Sequence, residues 1–204
     1  MNEKIDAGIN GEQNVGGAGT SRRSLVNVSL TALFAALTAA GTFISIPLPF
    51  TPVPIVLQNL FALLSGLTLG PVLGGAAVAL YLLAGAIGVP VFAGAQGGVV
   101  HFFGPTGGFL FGYLLSAILA GLIAGAPKNN GKIRLWRIVL AAIAGMLIVY
   151  VPGLLRLKAA LQADWPKTLA VGLTPFIIGD AIKVVIAVIA SRSLRKGASK
   201  ALHG

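Results

Sequence analysis

The 204-residue chain contains no cysteine, so disulfides, thiolate metal sites and a cysteine nucleophile are all excluded. Its two histidines, His101 and His203, are too few to build a zinc site with the partners available. Charge is also scarce. Only 10% of residues are Asp, Glu, Lys or Arg, against about 25% in a soluble domain. Neither a Walker-type phosphate loop nor a G-x-G-x-x-G pattern is present, so no nucleotide is expected on this chain. No nucleophile–base pair stands out. The sequence therefore predicts no catalytic residue, no metal, no cofactor and no enzyme.

Apolar length is what the chain has in abundance. Hydrophobic residues make up 56% of it, with room for about six spans of about 20 residues each. The expected fold is an all-α integral membrane protein of six transmembrane helices, whose 28 glycines allow close helix packing in lipid. The apolar runs are 25–46, 55–69, 72–87, 109–126, 138–155 and 169–190. Residues 1–22 are polar and aperiodic, and read as a disordered tail with no signal-peptide pattern. Residues 23–195 then form the membrane domain, and 196–204 a basic tail. Four prolines in 45–54 rule out a regular helix there. Residues 88–98 form a Gly-rich, non-helical connection, and 156–167 read as a short interfacial helix and turn.

The net charge of +10 is a topology signal here rather than a nucleic-acid signal. With both termini in the cytoplasm, eleven basic residues fall inside: Lys4, Arg22, Arg23, Lys128, Lys132, Arg134, Arg137, Arg192, Arg195, Lys196 and Lys200. Three fall outside: Arg156, Lys158 and Lys167. The expected location is the cytoplasmic membrane, and that bias orients the irregular segments around 45–54, 88–108 and 156–174 outward. They converge on one external mouth.

The outer end of the last run carries the two conspicuous charges, Asp180 and Lys183. On insertion scales a charge at membrane depth costs about 2.5–3.5 kcal/mol, and the i, i+3 spacing puts both on one helix face. Thr174-Pro175 reads as an N-cap with Pro at the first helical position. The pair either holds helices together or forms a polar site for a small ligand or an ion path. Gln58 and Asn59, near the same mouth, either satisfy backbone groups or bind a ligand. Gln96 sits between small residues, open to a ligand, and His101 follows it. On the first helix Ala32, Ala36 and Ala40 recur every four residues, with Ala35 and Ala39 one stripe over, as a close-packing face for a partner or for the chain itself.

Four segments resemble the BioY family of biotin transporters, the substrate-binding S components of energy-coupling-factor (ECF) transporters. They are Phe50-Thr-Pro-Val-Pro-Ile-Val-Leu-Gln58, Ile87-Gly-Val-Pro-Val-Phe-Ala-Gly94, Gly104-Pro-Thr-Gly-Gly-Phe109 and Pro175-Phe-Ile-Ile-Gly-Asp-Ala-Ile-Lys183. The resemblance runs in order over about residues 25–195. It implies an S-component bundle of six helices, capture of biotin from outside, and Asp180 and Lys183 as the ligand-binding pair. It also implies a transmembrane coupling subunit, met through Ala32 and Ala36, and two cytoplasmic ATPases. Where some members carry a basic residue in the third connection, this chain has Gln96 and His101. Biotin suits the residues. A carboxylate accepts its ureido N–H groups and an ammonium donates to its carbonyl, while Phe50, Phe92 and Tyr81 supply apolar walls. An ion-coupled carrier using Asp180 as a proton site is the alternative, although one carboxylate and no internal duplication speak against it. An intramembrane enzyme would need a Ser or His facing Asp180, and His101 is the one candidate histidine.

Overall fold

A computed structural model describes residues 3–127 and 133–203, with side chains over 22–127 and 133–202. Lys128 and Lys132, counted above as internal charges, lie outside the described residues. In chain order the elements are α1 (Glu3–Ala40), β1 (Ser45–Leu48), β2 (Thr51–Val56), α2 (Gln58–Leu69), α3 (Pro71–Ala86), α4 (Val100–Phe103), α5 (Gly107–Ala124), α6 (Leu135–Leu161), α7 (Trp165–Gly172) and α8 (Ile177–His203). A 3₁₀ turn, Thr174–Phe176, joins α7 to α8.

Among the described residues four stretches are long and apolar enough to cross a membrane: Arg22–Ala40, Gly107–Ala124, Leu135–Leu161 and Trp165–Leu202. The other two apolar helices, α2 and α3, have 12 and 16 residues. At 1.5 Å per residue α2 is about 18 Å long, short of a hydrocarbon core of about 30 Å. Six full-length spans, as the sequence suggested, are therefore not seen. The break between the short pair is sharp: Gly70 sits at φ +86 and Pro71 opens α3. The outward faces fit lipid. Leu147, Val151 and Leu155 on α6, and Ile178, Ile182, Val185 and Ile189 on α8, are all more than half exposed at helical spacing.

Several sequence expectations need correction. The backbone is helical from Glu3, where an irregular tail was expected; no proline interrupts residues 3–40, and the glycines at 8, 11, 16, 17 and 19 weaken a helix without forbidding it. Residues 196–203, expected as a tail, continue α8. The proline-rich segment is an antiparallel hairpin rather than a loop, with Ser45 opposite Val56 and Leu48 opposite Thr51. Proline is tolerated because both strands of a two-stranded pair are edges. Thr174 does not cap α8. Its hydroxyl reaches back to the Leu169 carbonyl, and α8 starts three residues later. The cap that does form is Asp164 on α7, whose carboxylate accepts from the Lys167 N–H at 3.2 Å.

The central packing joins α5 and α6 almost backbone to backbone. A Cβ on Gly108 would lie 2.1 Å from the Pro152 carbonyl oxygen, and one on Gly112 2.7 Å from that of Val149. At the other end of the bundle Arg195 turns inward and is 3% exposed. Its guanidinium donates to the carbonyls of Leu67, Ala124 and Gly125, closing the C-terminal ends of α2 and α5. Arg195→Met is thus expected to lower stability by about 1.5–3 kcal/mol, the worth of hydrogen bonds to a charged group. Thermal denaturation in detergent checks this, and an unchanged melting temperature would show that the cap is dispensable.

Candidate functional site

Asp180 lies one turn into α8 and is 8% exposed; Lys183, on the next turn, is 6% exposed. Their side chains pair at 2.9 Å. Two buried charges demand further partners, and other helices supply them. Asn59 on α2 donates from Nδ2 to Asp180 Oδ1 at 3.0 Å. Lys183 Nζ donates to Asn59 Oδ1, also at 3.0 Å. That same Asn59 oxygen accepts the Leu60 N–H at 3.1 Å, which fixes the amide. Tyr150 on α6 donates its hydroxyl to Asp180 Oδ2 at 2.5 Å. Three helices thus converge on one carboxylate. The sequence singled out Asp180, Lys183 and Asn59. It missed Tyr150, because an aromatic residue in an apolar span carries no signal that separates it from core.

This cluster borders a small chamber of about 30 Å³ whose walls include Val53, Pro54, Val56, Phe109, Tyr113 and Phe176. A second chamber of about 40 Å³ shares Val53, Pro54, Val56, Phe109 and Tyr113 with it. The far end of the second chamber holds Gln96, His101, Phe92 and Thr106. With five wall residues in common the two chambers lie side by side, and this pair, the slot, has a charged end at Asp180 and Lys183 and a neutral polar end at Gln96 and His101. Outside lies a basin of about 500 Å³, lined by the hairpin and the 93–96 turn. Pro54, Ala93, Gln96 and Thr106 border both the basin and the slot, so the hairpin and the 93–96 turn together separate the slot from the exterior.

The 93–96 turn is built for that position. Gly94 at φ +77 and Ala95 at φ +56 fold the chain back so that Phe92 and Gln96 pair through their backbones at 2.8 and 3.1 Å. Phe92 then packs edge-on against Tyr81, His101 and Phe102. Gln58 lines the second chamber, but its amide nitrogen is committed to a latch: it donates to Thr42 and to the Val91 carbonyl, which also accepts the Thr42 hydroxyl at 2.5 Å. The latch joins the end of α1, the start of α2 and the Gly-rich connection. Arg156 fastens the same region from α6 by donating to the Phe103 and Gly104 carbonyls.

Two expected wall residues lie elsewhere. Phe50 is 59% exposed at the hairpin turn and borders neither chamber, because the turn points its ring away from the bundle. Tyr81 is 1% exposed and sits behind Phe92, one layer removed from the slot. On α1, Ala35 is buried and Ala39 half-buried, whereas Ala32, Ala36 and Ala40 are exposed, so the two stripes separate into an inner and an outer face.

Comparison with known proteins places this geometry. The BioY family profile matches residues 15–200. A probable biotin transporter BioY of Pyrococcus horikoshii is 40% identical over 168 residues, 82% of this chain and 95% of the other. The biotin transporter BioY of Thermotoga maritima is 41% identical over 164 residues, 80% of this chain and 92% of the other. Among solved structures, a crystal structure of the S-component for biotin from an ECF-type ABC transporter aligns with TM-score 0.77 at 30% identity. That alignment covers 85% of this chain and 92% of that one.

Proposed function

The chain belongs to the BioY family, and from that premise we propose how its slot holds and delivers biotin. The protein takes up biotin as the S component of an ECF transporter. The observation that carries our reading of the site is the polarity of the slot. A cyclic urea with N–H donors and a carbonyl suits the end where Asp180 accepts and Lys183 donates. The carboxylate at the other end of biotin then lies toward Gln96 and His101, and the ring and chain between them meet Phe92 and Phe109. Gln58 acts through the latch rather than on the ligand, and Asn59 holds Asp180 and Lys183 in register.

The chambers as they stand are sized for a few waters, whereas ligand pockets run to about 300–1,000 Å³. Loading therefore requires the wall between slot and basin to open, at Pro54 of the hairpin or at the 93–96 turn, both of which border the two spaces. The carrier alternative has no second carboxylate to continue a proton path among the described spans, and the contacts of Asp180 include neither a serine nor a histidine.

Beyond the site, residues 23–195 form the membrane unit in this reading. All six apolar helices lie in the cytoplasmic membrane, α2 and α3 reaching only part of its depth, with both termini inside. ATP hydrolysis belongs to two separate ATPases joined through a transmembrane coupling subunit. The orientation has a direct check, helped by the absence of native cysteine. Arg134→Cys is expected to react with a membrane-impermeant thiol reagent only from the cytoplasmic side, and Lys167→Cys only from outside. The reverse pattern in intact cells would turn the mouth to the wrong face. The function itself is tested by biotin uptake into vesicles with and without ATP and the coupling module; no uptake under any condition would sink it.

A further inference from the structure

Tyr113 on α5 is 6% exposed and borders both chambers of the slot. Buried tyrosine hydroxyls ordinarily find a hydrogen-bond partner. This one has none among the described residues, and its oxygen is not sealed in packing as those of Tyr81, Thr68 and Ser116 are. It therefore opens onto the slot.

A donor count at the charged end shows what this hydroxyl can meet. Lys183 has three N–H groups, and two are committed, to Asp180 and Asn59. The Tyr150 O–H is committed to Asp180. The Asn59 amide N–H groups face Asp180 and the Met146 sulfur. Two side-chain donors bordering the chamber are left, the third Lys183 N–H and the Tyr113 O–H. A ureido carbonyl oxygen has two lone pairs. On the acceptor side, Asp180 Oδ1 and Asn59 Oδ1 each already receive two bonds, which leaves one position on Asp180 Oδ2 for a ligand N–H.

We infer that Tyr113 is a direct ligand contact, its hydroxyl and the Lys183 ammonium together donating to the ureido oxygen of biotin. This rests on the biotin reading and adds a specificity contact that Asp180 and Lys183 alone do not provide. Tyr113 also lines both chambers, so its ring forms part of the wall they share.

The test compares the unaltered chain with Tyr113→Phe, purified in detergent, against three ligands: biotin, desthiobiotin, which lacks the sulfur, and biotin amide, which lacks the carboxylate charge. The variant keeps the ring and removes a hydroxyl that has no partner in the chain, so its melting temperature is expected to stay the same or rise. Affinity is expected to fall about 2- to 12-fold, the range of one neutral hydrogen bond, by the same factor for all three ligands. A loss that disappears with desthiobiotin moves the hydroxyl to the sulfur. One that disappears with biotin amide moves it to the carboxylate. Full affinity for all three leaves the ring as packing. Each of these overturns the contact while biotin binding by the unaltered chain stands. No biotin binding by the unaltered chain overturns the biotin reading and the contact with it.

Discussion

Asp180→Asn is expected to lower biotin affinity by roughly 10- to 150-fold, the equivalent of about 1.5–3 kcal/mol for a hydrogen bond to a charged group. The substitution keeps the size of the side chain but removes its charge and half its acceptor capacity. Three in-chain donors, from Asn59, Tyr150 and Lys183, then compete for fewer lone pairs. Asp180→Ala is expected to cost more. It leaves the Lys183 ammonium, 6% exposed, with Asn59 as its remaining partner, and an uncompensated buried charge costs about 3–5 kcal/mol. The measurement is biotin binding to detergent-purified protein, normalised to the monodisperse fraction. If the pair served only to hold α8 against α2, both variants would lose folded protein and whatever folded would bind normally. Near-unaltered affinity in folded Asp180→Asn would remove this carboxylate from the ligand site.

Ala36→Trp is expected to abolish ATP-driven uptake while leaving biotin affinity in place. The outer stripe of α1 presents Ala32, Ala36 and Ala40 to the surroundings, and Ala35 and Ala39 already serve the packing inside the bundle. A small-residue face turned outward lets another helix approach closely, and an indole there would hold a coupling subunit away. Binding by the isolated chain and uptake by the reconstituted complex are the two readouts. Unchanged uptake would count against this face as the contact. Lost binding would mean that Ala36 serves the chain's own fold.

What the sequence made legible follows from contrast. Asp180 and Lys183 stand out because ionised groups are costly in an apolar run, and the structure buries them together. The phase of the alanine stripes was not legible, because two stripes one residue apart look alike until the inner face of α1 is known. Tyr150 and Tyr113 are invisible for a related reason: only the surroundings that other helices supply distinguish a tyrosine bordering the charged cluster from a core one. Arg195 reads as one more internal charge, because a count of basic residues cannot tell a side chain facing the cytoplasm from one folded back onto helix ends. The proline-rich segment is legible as non-helical, but its strand pairing is hidden, since proline lacks the N–H that pairing uses. Phe50 illustrates the converse error. It lies inside a segment that does border the slot, at a turn that points it outward.

The bond between Asn59 and Asp180 spans 121 positions of the chain. At a synthesis rate of about 5–20 residues per second, the amide on α2 waits roughly 6–24 s before its carboxylate partner is made. Until then the nascent protein holds α2, the hairpin and the latch partners but no charged end to the slot. With the site proposed above, capture of cargo arises only once α8 has been made. A ribosome that stops before α8 leaves a fragment without Asp180 and Lys183, which on that proposal does not sequester the vitamin from intact copies.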